Sequence, residues 1–154
     1  RAIIFGAGHV GVATARIAGI AGFRVTLVDD RPEFAEAAQT AADEVMISDF
    51  EASVEDLQVD SGTYIVIVTR GHSHDKETLA ACLKKGQPHP AYIGMIGSKT
   101  KVRKTFDALK SEGISEEDIG RVRSPIGLSI GAKTAQEIAV AIVAEMVAVK
   151  NNSQ

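Results

Sequence analysis

The junction Gly6-Ala7-Gly8-His9-Val10-Gly11 constrains the fold more than any other part of the chain, because it joins an apolar run, Ala2-Ile3-Ile4-Phe5, to a stretch at helical period. Glycines at this spacing serve three purposes: a tight turn, close approach of backbone to a diphosphate, and close packing of helix on sheet. The amides and dipole at the helix start would then hold an anion. Asp29 ends the next strand-like run about 20 residues later, where an acidic side chain accepts hydrogen bonds from a ribose hydroxyl. Its charge would repel a 2'-phosphate, tempered by Arg31, which favours an adenosine-type ribose over NADP. The alternative is that Gly6, Gly8 and Gly11 serve only helix–sheet packing.

The same grammar repeats along the chain. Short runs rich in Ile and Val, bounded by Gly or Asp, alternate with longer segments of helical period. Strands are expected at 2–5, 23–28, 45–47, 64–69 and 92–96, and helices near 9–21, 32–41, 75–85 and 100–112. Ile65-Val66-Ile67-Val68 is apolar without alternation, as in a strand covered on both faces. The fold class is therefore α/β: a Rossmann-like, doubly wound, mostly parallel sheet with helices on both faces. Right-handed crossovers place every strand's carboxyl end along one edge.

After Gly113, Ser115-Glu116-Glu117-Asp118 resembles a helix start, and a Gly/Pro-bearing stretch covers 124–131. A long helix from about 134 to 150 opens with Thr134 and Glu137 at capping-box spacing. Its apolar residues, among them Val140, Val143, Val147 and Val149, cover more than one stripe. That breadth calls for a second covering surface, either a partner in a homodimer or an absent domain. Residues 1–150 are read as one cofactor-binding domain and 151–154 as a polar tail. The chain enters its first strand directly at Arg1 with no initiator Met, and is read as a fragment or a trimmed chain, with an upstream domain as one reading of what is absent.

With 154 residues, 45% hydrophobic and 24% charged, one soluble globular core is expected. A net charge of -3 argues against the broad basic face that nucleic-acid binding needs. No run suits a membrane span or a signal peptide, so the expected location is the cytoplasm. Cys82 is the single cysteine, and Leu79, Cys82 and Leu83 share a helical face, which predicts a buried core thiol.

Three further loops carry polar residues. In Thr69-Arg70-Gly71-His72-Ser73-His74-Asp75, His72 and His74 are expected to converge with His9 across the switch point. They would hydrogen-bond a polar ligand, ligate a metal, or simply stand exposed while Ser73 or Asp75 starts a helix. Ser98 and Lys99 open a helix that also carries Lys101, Arg103 and Lys104, cations that oppose the macrodipole unless an anion binds there. The alternative is a solvated basic face. Gly127 through Gly131, Lys133 and Thr134 departs from the spacing of a nucleotide-triphosphate loop, leaving an anion-binding nest or a structural turn. No nucleophile is identified. Any catalytic residue would come from His9, His72, His74 or Lys99, and a carrier is favoured over a catalyst.

The chain resembles the C-terminal Rossmann domain of the XdhC/CoxI family of xanthine dehydrogenase accessory proteins. The resemblance is carried by Phe5 through Val10, Gly22 through Val25, Asp29-Asp30-Arg31-Pro32, Thr69 through His72, Tyr92 through Lys99, Pro125 through Leu128, and Gly131 through Thr134. It implies binding of molybdopterin-type molybdenum cofactor as cargo, help with its sulfuration by a cysteine desulfurase, and delivery to a molybdenum hydroxylase apoenzyme. Family members usually carry an upstream segment with glycine and cysteine, and Ala135 stands where the family often has proline. The alternatives from the residues are an NAD-binding oxidoreductase and an NAD-sensing interaction module.

Overall fold

The structure, a computed structural model, describes residues 1–152. Its strands are β1 (Ala2–Phe5), β2 (Val25–Asp29), β3 (Glu44–Ile47), β4 (Tyr64–Ile67), β5 (Tyr92–Met95) and β6 (Val122–Arg123). They form one sheet in the order β3-β2-β1-β4-β5-β6. Every pairing is parallel. This is the Rossmann order, and the direction of winding reverses between β1 and β4. Strands β1, β2, β4 and β5 are buried throughout, whereas edge strand β3 is half exposed. That difference explains why the central strands read as unbroken apolar runs.

Helices α1 (His9–Ile20), α2 (Ala35–Gln39) and α7 (Ala135–Asn152) cover one face, with a core built on Ile4, Ala15, Leu27, Val66 and Ile142. Helices α3 (Phe50–Asp56), α4 (His72–Lys84), α5 (Lys99–Ser111) and α6 (Glu116–Gly120) cover the other, around Ile3, Phe5, Ile65, Leu79 and Leu109. Helix α7 lies along α1. Its broad apolar coverage is thus used inside the chain: Ala139, Ile142, Val143 and Met146 are buried, Val147 and Val149 pack on the same cluster, and Val140 is left 48% exposed. Most of the apolar breadth of α7 is thus accounted for by packing within the chain.

Several boundaries move. Residues 32–41 form a 3-10 turn, Pro32–Phe34, running into the short α2 rather than one helix. Helix α4 starts at His72, three residues before the expected position 75. Helix α3 and strand β6 add to the elements expected from the sequence. Asn151 and Asn152 continue α7 rather than starting a tail, and the rest of the expected tail, 153–154, lies outside the described residues. Among the described residues, no helix is long and apolar enough to cross a membrane.

Candidate functional site

The glycine turn sits at the carboxyl end of β1. Gly6 has φ +111°, and a Cβ there would lie 2.4 Å from the carbonyl oxygen of Val68, so the turn is pressed against the chain leaving β4. A Cβ on Gly11 would meet the carbonyl oxygen of Gly6 at 1.7 Å, which requires glycine where α1 begins its first turn. Gly8 differs from both: a Cβ there would meet nothing within 4 Å. It is the N-cap of α1 but supplies no side-chain cap, and the first turn holds no acidic residue. Among the described residues no side chain claims these amides, so the helix start presents unsatisfied donors and its positive dipole end to the outside. Beside it lies a cleft of about 330 Å³, lined by Gly8, His9, Val12, Arg16, Phe34 and Gln136 among others.

Asp29 is placed where expected, at the end of β2, and its carboxylate is already bound within the chain. It is 1% exposed, and its two oxygens already accept four hydrogen bonds. Oδ2 accepts from the Ala7 amide at 2.7 Å and an Arg31 Nη at 3.0 Å. Oδ1 accepts from the Arg31 amide at 3.0 Å and Arg31 Nε at 2.8 Å. A carboxylate has about four acceptor positions, and all are used. Burial raises the pKa of this carboxyl, but the bonds from Arg31 and Ala7 outweigh burial and hold it below the ordinary value. Asp29 is thus a strut that fixes the glycine turn. Its neighbour Asp30 forms a two-pronged ion pair with Arg70 from the loop after β4. Sequence reasoning misses that pair, although both residues lie in loops it singles out.

The three histidines do not converge. His9 lines the cleft on the α1 face, whereas His74 rests against the Phe50 ring, 5.8 Å between centroids, on the α3–α4 face. His72 is exposed at the start of α4. The buried group of this loop is Asp75, whose Oδ1 accepts from the Thr69 amide at 2.9 Å and from Thr69 Oγ1 at 2.6 Å. Burial pushes its carboxyl up to about 6, with the Thr69 bonds acting against it. Among the described residues no group of three or more His, Cys, Asp or Glu side chains is arranged to hold a metal. Cys82 is half-buried against the second core, and burial pushes its thiol up to about 12, which favours the protonated form at neutral pH.

The third and fourth loops meet in a second cleft of about 620 Å³, with Ile96, Ile126, Leu128 and Ile130 among its walls and Lys99 at its edge. Ser98 is partly committed: its Oγ caps α5 by accepting from the Lys101 amide at 3.4 Å. The loop is tied down by buried Glu145, whose Oε1 accepts from the Tyr92 hydroxyl at 2.6 Å and the Gly127 amide at 3.1 Å. Burial and this carboxylate both raise the Tyr92 pKa. A lone acid within the apolar run of α7 is the sequence signal for this tie.

The nest before α7 is closed. Glu137 Oε2 accepts from the Lys133 amide at 2.7 Å and the Thr134 amide at 3.0 Å, while Thr134 Oγ1 accepts from the Glu137 amide at 3.1 Å. The expected capping box forms. The Glu137 carboxylate and the Thr134 hydroxyl thus take three donors around this turn, and Lys133 and Thr134 stand in a self-capped turn.

A family model described as the XdhC Rossmann domain matches residues 2–146. An uncharacterised Escherichia coli K12 protein, YqeB, is 34% identical over 158 residues, covering 99% of this chain and 28% of that protein. A Bacillus subtilis 168 protein described as a probable xanthine dehydrogenase component is 32% identical over 155 residues, covering 96% of this chain and 42% of that protein. The molybdenum cofactor insertion chaperone PaoD of Escherichia coli K12 is 26% identical over 114 residues, covering 74% and 35%. The crystal structure of a xanthine dehydrogenase from Bacillus halodurans superposes with TM-score 0.85 and 28% identity, over 100% of this chain and 43% of that one. The chain thus spans less than half the length of each of these proteins.

Proposed function

The chain belongs to the XdhC Rossmann-domain family, and from that premise we propose that it binds molybdenum cofactor as cargo for insertion into a molybdenum hydroxylase of the xanthine dehydrogenase type. The observation that carries this reading is the unclaimed start of α1. Beyond the Ala7 amide, which Asp29 holds, no side chain among the described residues takes a donor of its first turn, whereas before α7 Glu137 takes the Lys133 and Thr134 amides and Thr134 Oγ1 takes that of Glu137. A phosphate fits that chemistry, since backbone donors and the helix dipole both favour a compact anion.

On this reading Gly6, Gly8 and Gly11 shape the phosphate turn, and His9 and Phe34 bound the cleft beside it. Lys99 and Ser98, with His72, form a more distant polar margin. The chain's own groups bind and orient the cargo and shield it from water. Sulfuration of the cargo is assigned on this reading to a cysteine desulfurase partner. The domain acts as a carrier rather than a catalyst. The dinucleotide reading gains nothing from the site, because the acid that would read the ribose is saturated by Arg31 and Ala7.

Calorimetric titration of the purified chain under nitrogen, with molybdopterin and with NAD in parallel, tests the proposal. Molybdopterin should bind, and Gly8→Val, which fills the open space before the amides, should weaken it at least about tenfold. Binding of NAD with no binding of molybdopterin would overturn it.

A further inference from the structure

The Arg70–Asp30 ion pair spans the glycine turn from one flank to the other. Asp30 follows β2 and Arg70 lies in the loop after β4, and both strands neighbour β1. Two strand spacings separate those flanks, roughly 10 Å, a gap that long side chains can bridge. Each end is anchored to the turn through the adjacent residue. Asp29 accepts from the Ala7 amide, and Thr69 Cα lies 3.0 Å from where a Cβ on Gly6 would stand. The guanidinium and carboxylate therefore link the two loops that flank the turn.

The four charges here form two close pairs of different character, linked by a longer contact of 4.0 Å between Arg31 and Asp30. Asp29 and Arg31 form the sheltered one, with side chains 1% and 23% exposed, and Arg31 is held further by lying 3.7 Å over the Phe34 ring. Asp30 and Arg70 are 22% and 40% exposed. A two-pronged pair is stronger than a single surface contact, but the solvent reaching both side chains lowers the cost of opening it. A guanidinium also makes the same two-pronged contact with phosphate as with carboxylate. Arg31 is the more tightly held of the two arginines, with its Nε and one Nη bound to the buried Asp29.

We propose that Arg70 is the side-chain ligand of the oxyanion bound at the glycine turn, and that Asp30 is a built-in competitor that holds Arg70 until the anion arrives. This rests on the reading of that turn as the phosphate site and adds to it a residue that sets affinity. The two partners should then have effects of opposite sign, which a merely structural ion pair would not produce.

The test is titration of molybdopterin into the wild-type chain, Arg70→Ala, Asp30→Asn and the double variant, with circular dichroism confirming that each is folded. Arg70→Ala should weaken binding about tenfold or more, the loss expected of a charged hydrogen-bond donor. Asp30→Asn should tighten it by up to about fivefold, the affinity an exposed ion pair can withhold. In the double variant the gain from Asp30→Asn should vanish, leaving the affinity of Arg70→Ala. If Asp30→Asn tightens binding equally with and without Arg70, or if both single variants weaken it or neither changes it, the competition is overturned while the cofactor site stands. If the wild-type chain binds no molybdopterin, the site reading fails and takes this inference with it.

Discussion

Two glycine-bearing loops precede helices on the same face of this sheet, and their helices pack on each other, yet one is open and the other closed. Before α1, Gly8 caps the helix without a side chain and no acid follows in the first turn. Before α7, Glu137 reaches back to the Lys133 and Thr134 amides and fills the place of an anion. Glycine before a helix therefore does not by itself make an anion site. What decides is whether the chain's own carboxylate has already taken the donors. The start of α4 lies between these cases: its cap, Gly71, has no side chain, and the acid in its first turn, Asp75, is turned to Thr69 instead.

The largest effect should come from Gly11→Ala. The added Cβ would sit 1.7 Å from backbone that cannot give way, so urea denaturation should show a loss of about 3 kcal/mol or more. Gly8→Ala should cost at most about 1 kcal/mol, because its Cβ meets open space. Comparable losses at both positions would mean that the two glycines do the same structural work and that the openness at Gly8 has no separate purpose.

Next in size is the pH dependence set by Asp75. Its folded-state pKa, about 6, lies above the ordinary value of 3.8, so the fold favours the protonated acid. That contribution is fully present below pH 3.8 and is lost as pH rises to about 6. Between those limits stability should fall by on the order of 2–3 kcal/mol, and Asp75→Asn, which keeps an Oδ1 acceptor for Thr69, should flatten the profile. Asp29 works in the opposite sense. Its pKa is lowered in the fold, so its contribution is present above the ordinary carboxylate pKa and lost as pH falls through the folded value. Melting temperatures across pH 3 to 7 for wild type, Asp75→Asn and Asp29→Asn separate the two.

The smallest effect is at the closed loop. Thr134→Ala removes one half of the capping box and should cost about 1 kcal/mol by urea denaturation. Glu137→Ala should do something different: with the Lys133 and Thr134 amides released, weak sulfate binding should appear at α7 by amide chemical shift. If none appears, the carboxylate is not what distinguishes the two loops.

Much of the architecture is legible in the sequence because the central strands are buried on both faces. Ile65 through Val68 and Ala2 through Phe5 can hardly be read otherwise. Strand β6 is only two residues long and α3 only seven, too short for a periodic signal to stand out. The breadth of apolar residues on α7 is visible too, but periodicity cannot tell α1 of the same chain from a partner's surface.

At the site, residue type and position are legible and commitments are not. Asp29 stands where a ribose reader belongs, yet Arg31, two residues on, closes it. Thr134 and Glu137 have capping-box spacing, and the amides they would cap are the same ones an anion would need, two roles that exclude each other. The histidines belong together by their loops, but the sheet separates His9 from His74.

The most direct test of the central claim is to titrate molybdopterin under nitrogen into the ¹⁵N-labelled chain and map the amide shifts. The open-turn account predicts the largest changes at Gly8, His9 and Val10, with Lys133 and Thr134 unmoved. Largest changes at Lys133 and Thr134, with the α1 amides silent, would contradict it.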